Sequence, residues 1–183
     1  MAVLKKWRDI KLGEDVLENA RKAYKYQAAL TEKLDSHEGD FSEMTLLEIV
    51  LWKTNRYPMI SQDLIDDIND LRKSYSEEKA RALLRKMLNK ERKGFDLPMA
   101  STVLRFAVPK ELQIIDQRVF RFITQEPNLK LSTNIDKKIN LYFWYIGMLK
   151  SVSKKMGIKF EESDRILYQL DKEHNGDISL QTS

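Results

Sequence analysis

Apolar residues return every three or four positions along nearly the whole chain, and only a short run around Ile114 and Ile115 reads as strand. A period near 3.6 commits a segment to burying one face of a helix. The sequence therefore predicts an all-α protein of about eight helices joined by short loops. Six glycines and four prolines are enough to set the ends. A first helix is expected from about Asp15 to Leu34, with Val16, Ala20, Ala23, Tyr24, Gln27 and Leu30 along one side, and "HEGD" breaks it. Ser42 caps a second through about Arg56, closed by Pro58, and Ser61 starts a third through about Leu71. Ser76 begins a fourth, acidic at its head and basic at its tail, which Gly94 ends. Asp96 caps "LPMASTVLRFA", with Pro98 in the first turn, where a missing N–H costs nothing. A connection through Pro109 reaches Asp116 and a short helix. "STN" at 132–134 starts a long helix ending near Gly157, and a last helix runs from about Glu161 to His174.

The chain reads as one helical domain over 1–183, with terminal helices at about 13–35 and 134–174 packing on the middle. It has no cysteine, which removes disulfides, thiolate zinc sites and iron–sulfur clusters. His37 and His174 stand alone, without acids at ligand spacing, so neither metal nor cofactor is expected. No apolar run approaches the ~18 residues of a membrane span. "MAVLKKWRDIKLGED" lacks the apolar segment of a signal peptide, which makes the cytoplasm the expected address; a monomer is the expected form.

Net charge is only +4, but seven of the fifteen residues from Lys79 to Lys93 are basic and one, Glu91, is acidic. Such a run is either a solvated helix face or a surface for a phosphate backbone. Lys86, Lys90, Arg92 and Lys93 are its candidate contacts. The aromatics of "NLYFWYIGM" point all round their helix, which predicts burial and a close crossing at Gly147. In the last helix Ile166, Leu167 and Leu170 form the apolar face, and Gln169 or Asp171 is a candidate pocket residue. Asp116, after two isoleucines, is either a plain N-cap or a working acid.

Both readings of Asp116 turn on the segment "RKGFDLPMASTVLRFAVPKELQIIDQRVFRF", residues 92–122. A basic helix ends at a glycine turn, a second helix starts at once, and a loop delivers an acid to the head of a third. Together they form a helix-hairpin-helix at about 79–107 followed by a carboxylate. This unit resembles the helix-hairpin-helix DNA glycosylase superfamily, and in particular small bacterial proteins with an 8-oxoguanine-glycosylase-like fold. Gly94, Phe95 and Asp96 fall on the family's hairpin and Ala100 on its helix alanine. Asp116, 18 residues beyond Pro98, falls on its catalytic aspartate. Upstream, "LLEIVLWKTNRYP" resembles the family helix that leads to the loop filling the gap of a flipped base.

The resemblance implies double-stranded DNA as partner and hydrolysis of the N-glycosidic bond of a damaged or mismatched base, as in base excision repair. It gives Asp116 the catalytic role and makes Gly94, Phe95, Asp96, Ala100 and Ser101 DNA contacts beside the basic residues. Thr54, Asn55 and Arg56 become gap-filling candidates, against the plainer reading of a helix end before Pro58. Trp52 becomes a candidate for the base pocket with Gln169. Three departures qualify it. Asp96 stands at the second hairpin glycine, and "RKG" replaces the family's Leu-Pro. Pro98 stands where the family has its Schiff-base lysine, so no amine attacks from there and a monofunctional enzyme is implied. The alternatives are a non-catalytic DNA-binding protein of the same fold and a helical interaction module with no nucleic-acid role.

Overall fold

The computed structural model of the chain describes residues 14–23, 27–54, 58, 60–89 and 95–180. Among these residues there are nine α-helices and no strand. The chain divides into two compact units, Met1–Tyr57 and Pro58–Ser183.

The first unit holds α1 (Glu14–Ala23), α2 (Ala28–Asp35) and α3 (Glu43–Thr54). The single helix expected over 15–34 is thus two. Gln27 precedes α2 in a left-handed conformation, φ 42°, which no helix continues through. Its side-chain amide donates to the Trp52 carbonyl at 2.7 Å, an interaction no local pattern announces. The Trp52 indole N–H donates to Thr31 Oγ1 at 2.8 Å, and Lys33 meets Glu48 at 2.5 Å, so α2 and α3 are stitched together. Ser42 and Thr45 cap α3 reciprocally: each hydroxyl accepts the other's backbone N–H, at 3.1 and 3.3 Å. Met44, Leu46, Leu47 and Val50 on α3 are exposed.

The second unit holds α4 (Gln62–Lys73), α5 (Glu77–Met87), α6 (Leu97–Ala107), α7 (Gln117–Thr124), α8 (Ile135–Met156) and α9 (Ser163–Asn175), with a 3-10 turn at Phe160–Glu162 before α9. Side chains close most of the N-termini as their types dictate. Ser76 accepts from Lys79 N–H, Asp96 from Met99 N–H, and Asn134 from Lys137 N–H. Gly157, at φ 69°, ends α8 in the left-handed geometry that glycine adopts at no steric cost.

The core follows helical spacing. Ala80, Leu83, Leu84 and Met87 bury one face of α5; Leu97, Ala100 and Leu104 bury one face of α6. Along α8, Ile139, Tyr142, Ile146 and Leu149 do the same, joined by Tyr145. The opposite side of α8 is wet. Trp144 is 50% exposed, and a Cβ on Gly147 would meet nothing within 4 Å, so the close crossing expected there is absent. Ile166 on α9 is also exposed, at 38%, while Leu167 is buried.

Two arginines hold α9. Arg105 of α6 lies 3.6 Å from Asp164 and donates to the Glu161 carbonyl at 3.1 Å, near the helix start. Arg121 of α7 grips the other end. It forms a fork on Asp171, at 2.7 and 2.8 Å, and donates to the carbonyls of Asn175 and Ile178. Arg118 and the Asn175 amide add two more bonds to the Asp171 carboxylate. Arg121 is 7% exposed and Asp171 fully buried, so removing either charge strands the other in the interior.

Burial alone would raise the Asp171 carboxyl above its ordinary range. Hydrogen bonds from Arg121, Asn175 and Arg118, with the Arg121 charge, outweigh that and hold it below. A carboxyl depressed on folding contributes stability that is fully present above its unfolded value, near 3.8, and lost as pH falls through the lower folded value. Arg121→Met is expected to lower the unfolding free energy by about 3–5 kcal/mol in urea titrations. The double variant Arg121→Met/Asp171→Leu should recover much of that loss and lack the acid-side decline the pair confers. A single variant no less stable than wild type would show that the fork does not hold α9.

Candidate functional site

The chain reaches Asp116 through an extended segment that runs inside the protein. Leu112, Gln113 and Ile115 are fully buried, yet residues 112–116 pair with no strand. Side chains from two helices partner three of its backbone groups. Tyr142 donates to the Gln113 carbonyl and Tyr145 to the Ile114 carbonyl, each at 2.9 Å. Ser101 Oγ accepts the Ile115 N–H at 3.1 Å while donating to the Pro98 carbonyl at 2.7 Å. The Gln113 side-chain amide folds back on the Pro109 carbonyl at 2.6 Å.

Asp116 emerges half-buried at the head of α7. Its Oδ1 accepts the Arg118 N–H at 2.7 Å and the Val119 N–H at 3.3 Å, a double N-cap. Oδ2 has no hydrogen-bond partner among the described residues and is not sealed from solvent. The acid is therefore a cap with one oxygen to spare. Tyr142 and Tyr145 are both pushed above the ordinary phenol range, chiefly by burial; for Tyr145 the nearby Asp116 charge adds to the rise. Both phenols therefore remain neutral donors.

The basic run of α5 is largely matched by acids. Lys79 pairs with Asp70, Arg81 with Glu77, Arg85 with Asp136, and Lys86 with both Asp63 and Asp67. Bonds from those two carboxylates, Asp63 foremost, raise the Lys86 pKa and hold its charge on α4. Lys90, Arg92, Lys93 and Gly94 lie outside the described residues. Phe95 is half-buried against the core, and Asp96 is exposed with its carboxylate on the Met99 N–H at 2.9 Å. Ala100 and Ser101 are fully buried and offer no side-chain surface to a ligand. In the first unit, Thr54 is exposed and donates back to the carbonyls of Val50 and Leu51; Asn55 and Arg56 lie outside the described residues. Trp52, also in the first unit, is half-buried and bonded to Thr31. Gln169, in the second, is exposed and bonded to Glu173.

Two open hollows lie elsewhere. One is an open groove of about 320 Å³ lined by Ile68 and Arg72 of α4 and Thr102, Val103, Phe106 and Ala107 of α6. The other lies along α2, lined by Ala28, Thr31, Glu32, Asp35 and Ser36. No group of three or more acids and histidines able to hold a metal occurs among the described residues. The chain matches no family model, no curated protein and no solved structure.

Sequence reasoning missed the bed beneath Asp116. A signal was present: two tyrosines three residues apart on an otherwise apolar helix face imply buried acceptors for their hydroxyls. Ser101 on the apolar side of "LPMASTVL" carried the same message. Ser101→Ala is expected to cost about 1–3 kcal/mol, because it leaves the Ile115 N–H buried without an acceptor. Urea unfolding measures this, and a change within about 0.5 kcal/mol, as for an ordinary surface site, would show that the bond is dispensable.

Proposed function

We propose that this protein acts on duplex DNA as a glycosylase, hydrolysing the N-glycosidic bond of a damaged or mismatched base. The observation that carries the reading is the setting of Asp116. Two helices, α5 and α6, are followed by a buried segment that fixes a carboxylate at the head of α7, one oxygen tied to two amides and the other open. Together with the resemblance of residues 92–122, this supports assigning Asp116 the role of the acid that meets the sugar.

The target base leaves the stack before its glycosidic bond is reached. As that bond breaks, positive charge develops on the sugar. A fixed carboxylate opposes that charge and accepts a proton from the attacking water. Pro98 offers no amine; unless Lys53 or Lys93 supplies one, water adds to the sugar carbon, the base leaves with the bonding electron pair and takes up a proton, and the product is an abasic site. In this reading phosphate contact falls to Lys90, Arg92 and Lys93, since carboxylates of α4 and α8 already occupy the cations of α5.

The test is a base-release assay over duplexes carrying 8-oxoguanine, uracil, hypoxanthine or an alkylated base. Asp116→Asn suits it because asparagine caps a helix as well as aspartate, so the charge is lost and the cap kept. The single-turnover rate is expected to fall by about 100-fold or more. Borohydride is expected to trap no covalent adduct. An undiminished rate in Asp116→Asn would remove the acid from the mechanism. A second reading, a non-catalytic DNA-binding protein of this fold, is favoured by the position of the two hollows away from Asp116. It predicts salt-sensitive duplex binding with no base released from any member of the panel.

A further inference from the structure

Asp116 is useful to a reaction only if its open oxygen keeps one direction. Its own bonds, to Arg118 and Val119, reach only forward into α7. Something must fix the chain on both sides of it. Tyr145 does this from α8. Its hydroxyl holds the carbonyl of Ile114, two residues before the acid, at 2.9 Å. Its ring stacks on Phe120, four residues after, with centroids 6.4 Å apart and planes at 25°. The Phe120 N–H in turn donates to the Asp116 carbonyl at 2.8 Å. One fully buried side chain on the longest helix thus touches the backbone before the acid and the first turn after it.

Tyr142 supplies a control within the same helix. It is equally buried and donates to the next carbonyl back, that of Gln113, over the same 2.9 Å. Its ring's aromatic neighbour among the described residues is Phe143 of its own helix. The two hydroxyls make the same kind of bond, but only Tyr145 brackets the acid.

We propose that Tyr145 is the positioning residue of the Asp116 carboxylate, an inference that rests on the glycosylase reading above. The tyrosine does not meet the substrate; it keeps Oδ2 aimed by holding Ile114 and Phe120 in register. A misplacement of about 1 Å at a reacting group costs rate steeply, up to about 100-fold, without weakening the grip on the rest of the substrate.

The experiment compares the full chain with Tyr145→Phe, Tyr142→Phe and Asp116→Asn. Single-turnover base release, duplex dissociation constants and amide hydrogen exchange at Arg118 and Val119 are measured on each. Tyr145→Phe is expected to lower the rate by about 10-fold or more with duplex affinity unchanged, and Tyr142→Phe to lower it far less. Equal losses in the two tyrosine variants, or none in Tyr145→Phe while Asp116→Asn is inactive, would overturn the inference and leave the glycosylase reading standing. No turnover by the wild type sinks the glycosylase reading instead, and exchange then decides the clamp alone; full turnover by Asp116→Asn removes the acid from the mechanism and overturns the inference with it. Faster exchange at Arg118 and Val119 in Tyr145→Phe but not in Tyr142→Phe supports it; unchanged exchange overturns it. Should Tyr145→Phe fail to fold, Phe120→Leu keeps the hydroxyl bond and removes the stack. The same selective loss of rate, or of exchange protection at Arg118 and Val119, is then expected, and its absence overturns the proposal.

Discussion

A stretch of backbone inside a protein carries a donor and an acceptor at every residue, and each must find a partner or cost about 1–3 kcal/mol. Residues 112–116 meet part of this demand without a sheet: the carbonyls of Gln113 and Ile114 and the N–H of Ile115 pair with Tyr142, Tyr145 and Ser101. The arrangement ties α6 and α8 to one central segment, and through Asp116 it sets where α7 begins. Were the segment to slip by one residue, both tyrosines would lose their acceptors and Ile115 would leave the core. The register of the second unit's centre is therefore fixed by polar contacts inside an apolar setting, which specify position more sharply than packing alone.

Charge plays a related part farther out. The chain has 32 basic and 28 acidic side chains, and many of them answer one another across helices. The α5 cations face Asp63, Asp67 and Asp70 on α4 and Asp136 on α8. Exposed pairs of this kind contribute little each, about 0–1 kcal/mol, but they cancel the local positive potential a phosphate backbone would feel. The Arg121–Asp171 fork is of another kind. It is buried, fully hydrogen-bonded and aimed at the carbonyls that end α9, so it sets the position of the last helix at the cost of desolvating two charges.

Local chemistry was legible in the sequence. Ser76 and Asp96 cap the helices they were expected to cap, "STN" supplies the cap of α8 through Asn134, Asp116 takes the N-cap position that was one of its two readings, and Gly157 ends the helix it was expected to end. These signals act over three or four residues and depend on little else. What was not legible is long-range. The turn at Gln27 depends on a carbonyl 25 residues away, and the Arg121 fork on an acid 50 residues away. Periodicity marks the positions of Arg121 and Asp171 as inward-facing but does not say that each awaits the other. The wet side of α8 was misjudged for the same reason: an aromatic run looks buried all round until the neighbours are counted, and at Trp144 and Gly147 there are too few. The candidate acid could be found by motif; the bed that holds it could not.

Capping by itself does not call for an acid at 116. The same chain closes α5 with Ser76 and α8 with Asn134, both neutral, and each accepts from a backbone N–H at 3.0–3.2 Å. Asp96 at α6 is an acid, but it stands exposed, where a charge is cheap. Asp116 is different on both counts. It is half-buried, follows a fully buried residue, and sits close enough to the Tyr145 hydroxyl for its charge to disfavour the phenolate. A neutral cap would satisfy the same two N–H groups at that position without desolvating a charge. From its own helix the carboxylate gains the pull of the macrodipole, about 0.3–1 kcal/mol beyond what asparagine would supply, and its second oxygen has no hydrogen-bond partner among the described residues. That gain is set against the cost of holding a charge partly out of water, so Asp116 is a half-buried charged cap where Asp96 is an exposed one.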